Sequence, residues 1–238
     1  MLTAAVLVPS PPILVPELNG AGAAETGELR TAALRAAGRL GAVADRWIVL
    51  GTGAGDQIVG AGTVGTFKGF GVDVRVSLSP GATAEADPGV PLAALVAGWL
   101  RGVAAPAVTL DCRIVAADAS PARCGEIGVA LRDEVADTSD PVGVLVVADG
   151  ATTLTPKAPG AFDERAPRLQ EQLNTALAQG DFAALAGLDA GLCAELGCSG
   201  RAAWQVLAAL FGTAPGHVTT DYVDAPFGVG YYVGTWQP

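Results

Sequence analysis

Few residues in this chain combine reactive chemistry with a position that would expose it. The richest stretch is Val142 to Ala166, VGVLVVADGATTLTPKAPGAFDERA. An apolar run from Val142 to Val147 reads as a buried strand. It empties into Asp149-Gly150, then Thr152, Thr153 and Lys157, one of only two lysines in the chain. Asp149 could serve as a base, a metal ligand or a ribose partner. The plainer reading is an Asx-type turn with Gly150. Lys157 could pair with Asp149 or with an anionic ligand, against a solvated lysine as the ordinary case. A strand that ends in a polar, glycine-bearing loop is where α/β proteins place ligands.

Other candidates lie outside that stretch. Asp56 closes the glycine-rich run Gly51-Thr52-Gly53-Ala54-Gly55. Such a run can present backbone N–H groups to an anion, but it lacks the lysine of a phosphate-binding loop and the spacing of a dinucleotide fingerprint. It reads first as a bend after a strand. Cys198 sits in Gly197-Cys198-Ser199-Gly200-Arg201 before a helix, where a thiol pKa can fall. The alternative is a small buried residue, with Ser199 as the cap. Arg201 could fork a carboxylate or phosphate, or form a surface ion pair. His217 is the single histidine, in a Pro-Gly turn. One histidine builds neither a mononuclear metal site nor, at that place, a nucleophile–histidine pair.

These residues need a frame, and the pattern supplies one. Strands are expected at Thr3–Val8, Trp47–Leu50, Phe67–Val76, Leu110–Val115, Val142–Val147, Val218–Tyr222 and Gly228–Val233. Between them, three- and four-residue apolar spacing predicts helices at Glu25–Leu40, Pro91–Leu100, Phe162–Ala178 and Arg201–Phe211. Shorter helical segments fall at Phe182–Leu188 and Ala190–Leu196. Ser120-Pro121 opens another helix, serine as N-cap and proline at the first turn. Asp163 and Glu164 read as dipole complements in the first turn of theirs. Trp204, Phe211 and Trp236 read as core. The alternation implies one α/β domain over residues 1–238, a central sheet with helices on both faces.

Composition narrows the class. The 238 residues are 50% hydrophobic and carry a net charge of −10. That acidity excludes a nucleic-acid binder, which needs Lys/Arg to neutralise phosphates, and a polybasic membrane anchor. No apolar run is long enough for a transmembrane helix. The apolar N-terminus lacks a basic region and is broken by Pro9, Pro11, Pro12 and Pro16, so it reads as strand and turn rather than signal peptide. The four cysteines lack CxxC spacing and read as reduced thiols of a cytoplasmic protein.

An ordered set of short motifs resembles one family. Val6-Leu7-Val8-Pro9-Ser10-Pro11-Pro12-Ile13-Leu14 is similar to the opening strand and proline turn of the class III extradiol ring-cleavage dioxygenase superfamily, which includes the Memo-like proteins. Ile48 to Asp56 resembles its second ligand-bearing strand, and Phe67 to Val72 the segment after it. Ala148-Asp149-Gly150 with Phe162-Asp163-Glu164, Cys198-Ser199-Gly200-Arg201, and Ala225 to Tyr231 complete the series. The Asp-Gly loop and the Lys-Ala-Pro-Gly run resemble an uncharacterised actinobacterial branch. The resemblance implies that the central sheet is mixed, and a cleft at the strand ends that in the dioxygenases holds Fe(II) on two histidines and a carboxylate. Here Ser10 stands at the first ligand position, Ala54-Gly55 near the second, and Thr152, Thr153 and Leu154 follow the focal strand. Only Cys198 matches a ligand, of the Memo-like type. The expectation is a fold kept without its iron and with no cofactor. Its cleft, lined by Ser10, Asp56, Asp149, Thr152, Lys157, Cys198 and Arg201, would bind a small molecule or a protein partner. The alternative is a divergent enzyme using Asp149, Lys157 and Cys198 there. A third is a chain whose partner protein supplies the active residues.

Overall fold

The computed structural model describes residues 1–20 and 26–238. Its strands are β1 (Leu2–Val8), β2 (Arg46–Gly53), β3 (Gln57–Val59), β4 (Val64–Thr66), β5 (Arg75–Ser77), β6 (Thr109–Ala116), β7 (Val142–Val147), β8 (His217–Asp224) and β9 (Tyr231–Gln237). The helices are α1 (Pro16–Asn19), α2 (Gly27–Gly41), α3 (Leu92–Ala104), α4 (Pro121–Ala136), α5 (Ala166–Gln179), α6 (Phe182–Ala186), α7 (Ala190–Glu195) and α8 (Arg201–Phe211). Glu25, the expected start of α2, lies outside the described residues.

Seven strands form one sheet in the order β3-β6-β2-β7-β1-β9-β8. The inner strands β6, β2, β7 and β1 run parallel, while β3, β9 and β8 are antiparallel to their neighbours. This is the single α/β domain that the alternation predicts, with the mixed sheet that the resemblance implies. Parallel strands buried on both faces need continuous apolar runs, and β7, VGVLVV, is buried at every position. One face packs α2 and α3 against Val6, Val8, Trp47 and Val49. The other packs α4, α5 and α8 against Leu7, Ile48, Leu50, Val144 and Val146. Trp47 and Trp236 are wholly buried, and their indole N–H groups donate to Ala44 O (3.0 Å) and Leu177 O (2.9 Å).

Several local expectations are corrected. Gly51 to Gly53 belong to β2 rather than to a loop. A Cβ on Gly51 would come within 2.3 Å of the Ala93 Cβ. That glycine therefore lets α3 approach the sheet. Phe67 to Val76 is not one strand. Phe67–Phe70 is a 3₁₀ turn between β4 and β5, which form a separate two-stranded sheet. Helix α5 begins at Ala166, so Asp163 and Glu164 precede it. Asp163 instead accepts from the Arg165 backbone and side chain. Ser199 does not cap α8, whose N-cap is Gly200 with no side-chain bond, Phe211 is only partly buried, and the closing strand runs Tyr231–Gln237 rather than from Gly228. Two other cues hold. The Ser120 Oγ accepts from the Arg123 N–H at 3.2 Å with Pro121 at the helix start. Gly180 ends α5 in the left-handed conformation, φ 65°.

Candidate functional site at the strand ends

Strands β1 and β7 lie side by side and parallel, but their chains leave on opposite faces. The connection after β1 runs into α2 and the one after β7 into α5. Adjacent parallel strands that diverge in this way open a crevice at their carboxyl ends. Pro9 has no N–H to continue the ladder. The segment after β7 crosses the vacated end of β1 and pairs with the start of β9, Gly150 N–H to Gly230 O at 2.8 Å and Gly230 N–H to Ala151 O at 3.0 Å. Gln170 locks this crossing. Its Oε1 accepts from Ala151 N–H at 2.9 Å, and a Cβ at Gly150 or Gly230 would meet it at 2.1 Å.

The crossing brings Ser10, Asp149 and Tyr231 together. Asp149 accepts from the Ser10 backbone N–H at 2.8 Å and from the Ser10 Oγ at 2.6 Å. Burial pushes its carboxyl from the ordinary 3.8 up to about 6, against the opposing effect of both serine bonds. The residue keeps limited solvent contact, but the carboxylate is surrounded by protein, and among the described residues no cation is bonded to it. A carboxyl in that range holds a share of its protons close to neutral pH, fit to exchange one or to hold a ligand hydroxyl or amine. Burial also raises the Tyr231 phenol far above its usual range, and the Asp149 charge adds to this. The Tyr231 hydroxyl makes no hydrogen bond among the described residues. The sequence places Tyr231 only in a closing strand. The Gly228-Val229-Gly230 run before it was the available signal, since small residues there admit the crossing loop.

The other expected site residues are distributed differently. Lys157 is exposed and forms no ion pair among the described residues, so the pairing with Asp149 does not occur. Asp56 is exposed. It accepts from Ala116 N–H at 2.9 Å and pairs with Arg123 at 3.1 Å, bonds that lower its pKa, the backbone bond most. It lines a separate hollow with Gln57, Ile58 and Arg113. Thr152 is half-buried between two glycines. A Cβ at Gly197 would meet its Oγ1 at 2.0 Å and one at Gly160 at 2.9 Å. Arg201 is neither a fork for a carboxylate nor a surface ion pair. It is 2% exposed and donates to Ala117 O and Ala119 O, both at 2.8 Å, and to Gln205 Oε1 at 2.7 Å. Cys198 is buried and shares a cavity of about 460 Å³ with Cys193, Arg201, Ala117 and Asp118. That cavity adjoins the crevice, since Gly200 N–H donates to Asp149 O at 3.1 Å.

The iron site implied by the resemblance can be tested on these residues, and they do not fit it. Ser10 is committed to Asp149, and Ala54 and Gly55 offer no side-chain donor. His217 pairs with Gln237 at the opposite end of the sheet from the crevice. Among the described residues no three His, Cys, Asp or Glu side chains gather as a metal would require.

No protein-family model and no curated protein matches this sequence. Among solved structures, the chain is similar to one titled "Crystal structure of uncharacterized protein JW3007 from Escherichia coli K12". The likeness spans 98% of this chain and 99% of that one, with a TM-score of 0.51 and 13% identity. At that identity it speaks for the fold alone. Among the described residues no helix is long and apolar enough to cross a membrane.

Proposed function

We propose that this chain is an extradiol dioxygenase-like protein that works without iron and binds a small hydroxylated molecule in the crevice between β1 and β7. The observation that carries the reading is Asp149, a carboxylate without a cation, held by Ser10 and raised to about 6. A ligand hydroxyl entering the crevice would donate to Asp149 and accept from the Tyr231 phenol. The absent histidines at the family's ligand positions support a metal-free role. Four free, buried thiols support a reducing, cytoplasmic setting.

The test is a titration of ¹⁵N-labelled protein with catechol and simple hydroxylated carboxylic acids. Binding is expected to shift the Ser10, Gly150 and Gly230 amides, and Asp149→Asn is expected to abolish the shifts. Undisturbed amides throughout the panel would overturn the reading. So would stoichiometric iron or zinc in protein purified without chelator.

A second reading, a divergent enzyme with Asp149 as general base, draws on the same carboxyl, because a base with a pKa near 6 suits catalysis at neutral pH. Lys157 and Cys198 are the partners the sequence suggests for it. Lys157 is exposed and unpaired among the described residues, Ser10 bonds Asp149 directly, and the Asp149 charge reaches both Tyr231 and Cys198.

A further inference from the structure

Helix α7 ends in a Schellman motif. Gly197 is left-handed at φ 66°. The Cys198 N–H donates to Cys193 O at 2.8 Å, and the Gly197 N–H donates to Ala194 O at 3.2 Å. This motif brings the side chain just past the left-handed residue against the one three residues before the helix cap. Here both are cysteines. The thiols are free and buried, 1% and 3% exposed, and both form the wall of the cavity of about 460 Å³. Arg201 lines the same cavity, and among the described residues its guanidinium bonds to two carbonyls and an amide, with no carboxylate. A buried guanidinium without a carboxylate partner favours negative charge nearby.

We propose that Cys193 and Cys198 form a dithiol site that reduces a hydroperoxide entering this cavity and closes to a disulfide. Cys193 is the attacking thiol. The neighbouring Cys198 thiol lowers its pKa below the usual thiol range against the effect of burial, and the Arg201 charge adds in the same direction. The neighbouring Cys193, burial and the Asp149 charge raise the Cys198 thiol well above its ordinary value and keep it protonated. The Cys193 thiolate attacks one peroxide oxygen. An S–O bond forms, the O–O bond breaks, and the leaving alkoxide takes up a proton as the alcohol. Cys198 then attacks the sulfenic sulfur. The S–S bond forms, the S–O bond breaks, and water leaves with the proton of Cys198. Two electrons pass from the sulfur pair to the peroxide, and an external dithiol restores the thiols. Cys112 offers an internal contrast, since burial raises its thiol to about 12.

Glu195 lies between the two cysteines and no glutamate follows it, so proteolysis after glutamate reports the disulfide directly. Folded wild-type protein treated with hydrogen peroxide is expected to lose two hydrogens by intact mass. Its peptides on either side of Glu195 should stay joined until a reductant is added. Cys193 should react about tenfold or more faster than Cys112, as a thiolate does relative to a thiol. Cys198→Ser, confirmed as folded by circular dichroism, should stop at a sulfenic acid on Cys193 that dimedone traps. Peptides that separate without reductant, or Cys112 reacting as fast as Cys193, would overturn the proposal, and neither result depends on a variant folding.

Discussion

Asp149 carries a proton balance that makes it measurable in isolation. Its carboxyl lies at about 6 in the fold against 3.8 ordinarily, so the folded state binds the proton more tightly than the unfolded chain. The sign follows. Asp149 costs nothing below about 3.8, and stability falls as pH rises toward 6, by on the order of 3 kcal/mol in total. Asp149→Asn is expected to flatten that part of the pH–stability curve in urea denaturation. A curve as steep as wild type would contradict the buried-carboxylate account. Ser10→Ala removes a bond that favours the charged form. The Asp149 resonance, followed by ¹³C NMR, should therefore titrate still higher than in wild type. The chemistry of Asp149 was legible in sequence as an acid at the end of a hydrophobic strand. Only the family resemblance put Ser10 in the same cleft; the bond between them was not legible, because the contact spans 139 positions and depends on which strands become neighbours.

At the scale of elements, helix caps and strand cores were readable, and glycines that admit a packed neighbour were not. Ser120-Pro121 and Gly180 mark helix ends by local chemistry, so each can be recognised from a few residues. Gly51 looked the same in a glycine-rich run whether it served an anion or a helix. Only the Ala93 Cβ, 2.3 Å from where a side chain would begin, decides between them. Gly51→Ala is accordingly expected to destabilise by about 1–3 kcal/mol through overpacking of α3 on the sheet, read from the denaturation midpoint. Gln170 is the companion case for the crevice. Gln170→Leu would leave the buried Ala151 N–H without its acceptor, a loss of about 1–3 kcal/mol. Hydrogen exchange should then accelerate at Ala151 and Gly230 while β2 and β6 stay protected. The 3₁₀ turn at Phe67–Phe70 escaped sequence reasoning because its alternation imitates a strand. Its turn is set by the Thr66 Oγ1, which accepts from Lys68 N–H at 3.1 Å and donates to Asp73 at 2.7 Å.

The whole molecule exposes one long sheet edge, β8, whose residues are mostly solvent-facing. A regular exposed edge invites pairing with another chain. This one carries Asp221 and Asp224 and an irregularity between Thr220 and Tyr222, and Asp221 is tied to Arg39. Asp221→Val combined with Asp224→Val is expected to produce concentration-dependent self-association in light scattering, where the parent chain gives none through this edge. The class of fold was legible at this scale from alternation alone. The strand order was not, since it places the first strand between the seventh and the ninth.

That placement has a consequence in time. Strand β1 is made well before both its neighbours, β7 at residues 142–147 and β9 at 231–237. At about 5–20 residues per second, the N-terminal strand waits many seconds with both edges unpaired. The bond between Ser10 and Asp149, and with it the crevice, cannot form until β7 is made. The roof over it, at Gly230 and Tyr231, comes later still, with β9. Nascent chains, and chains cut before β7, therefore present β1 as an open, apolar template for other strands, and a closed crevice marks that synthesis has passed β9.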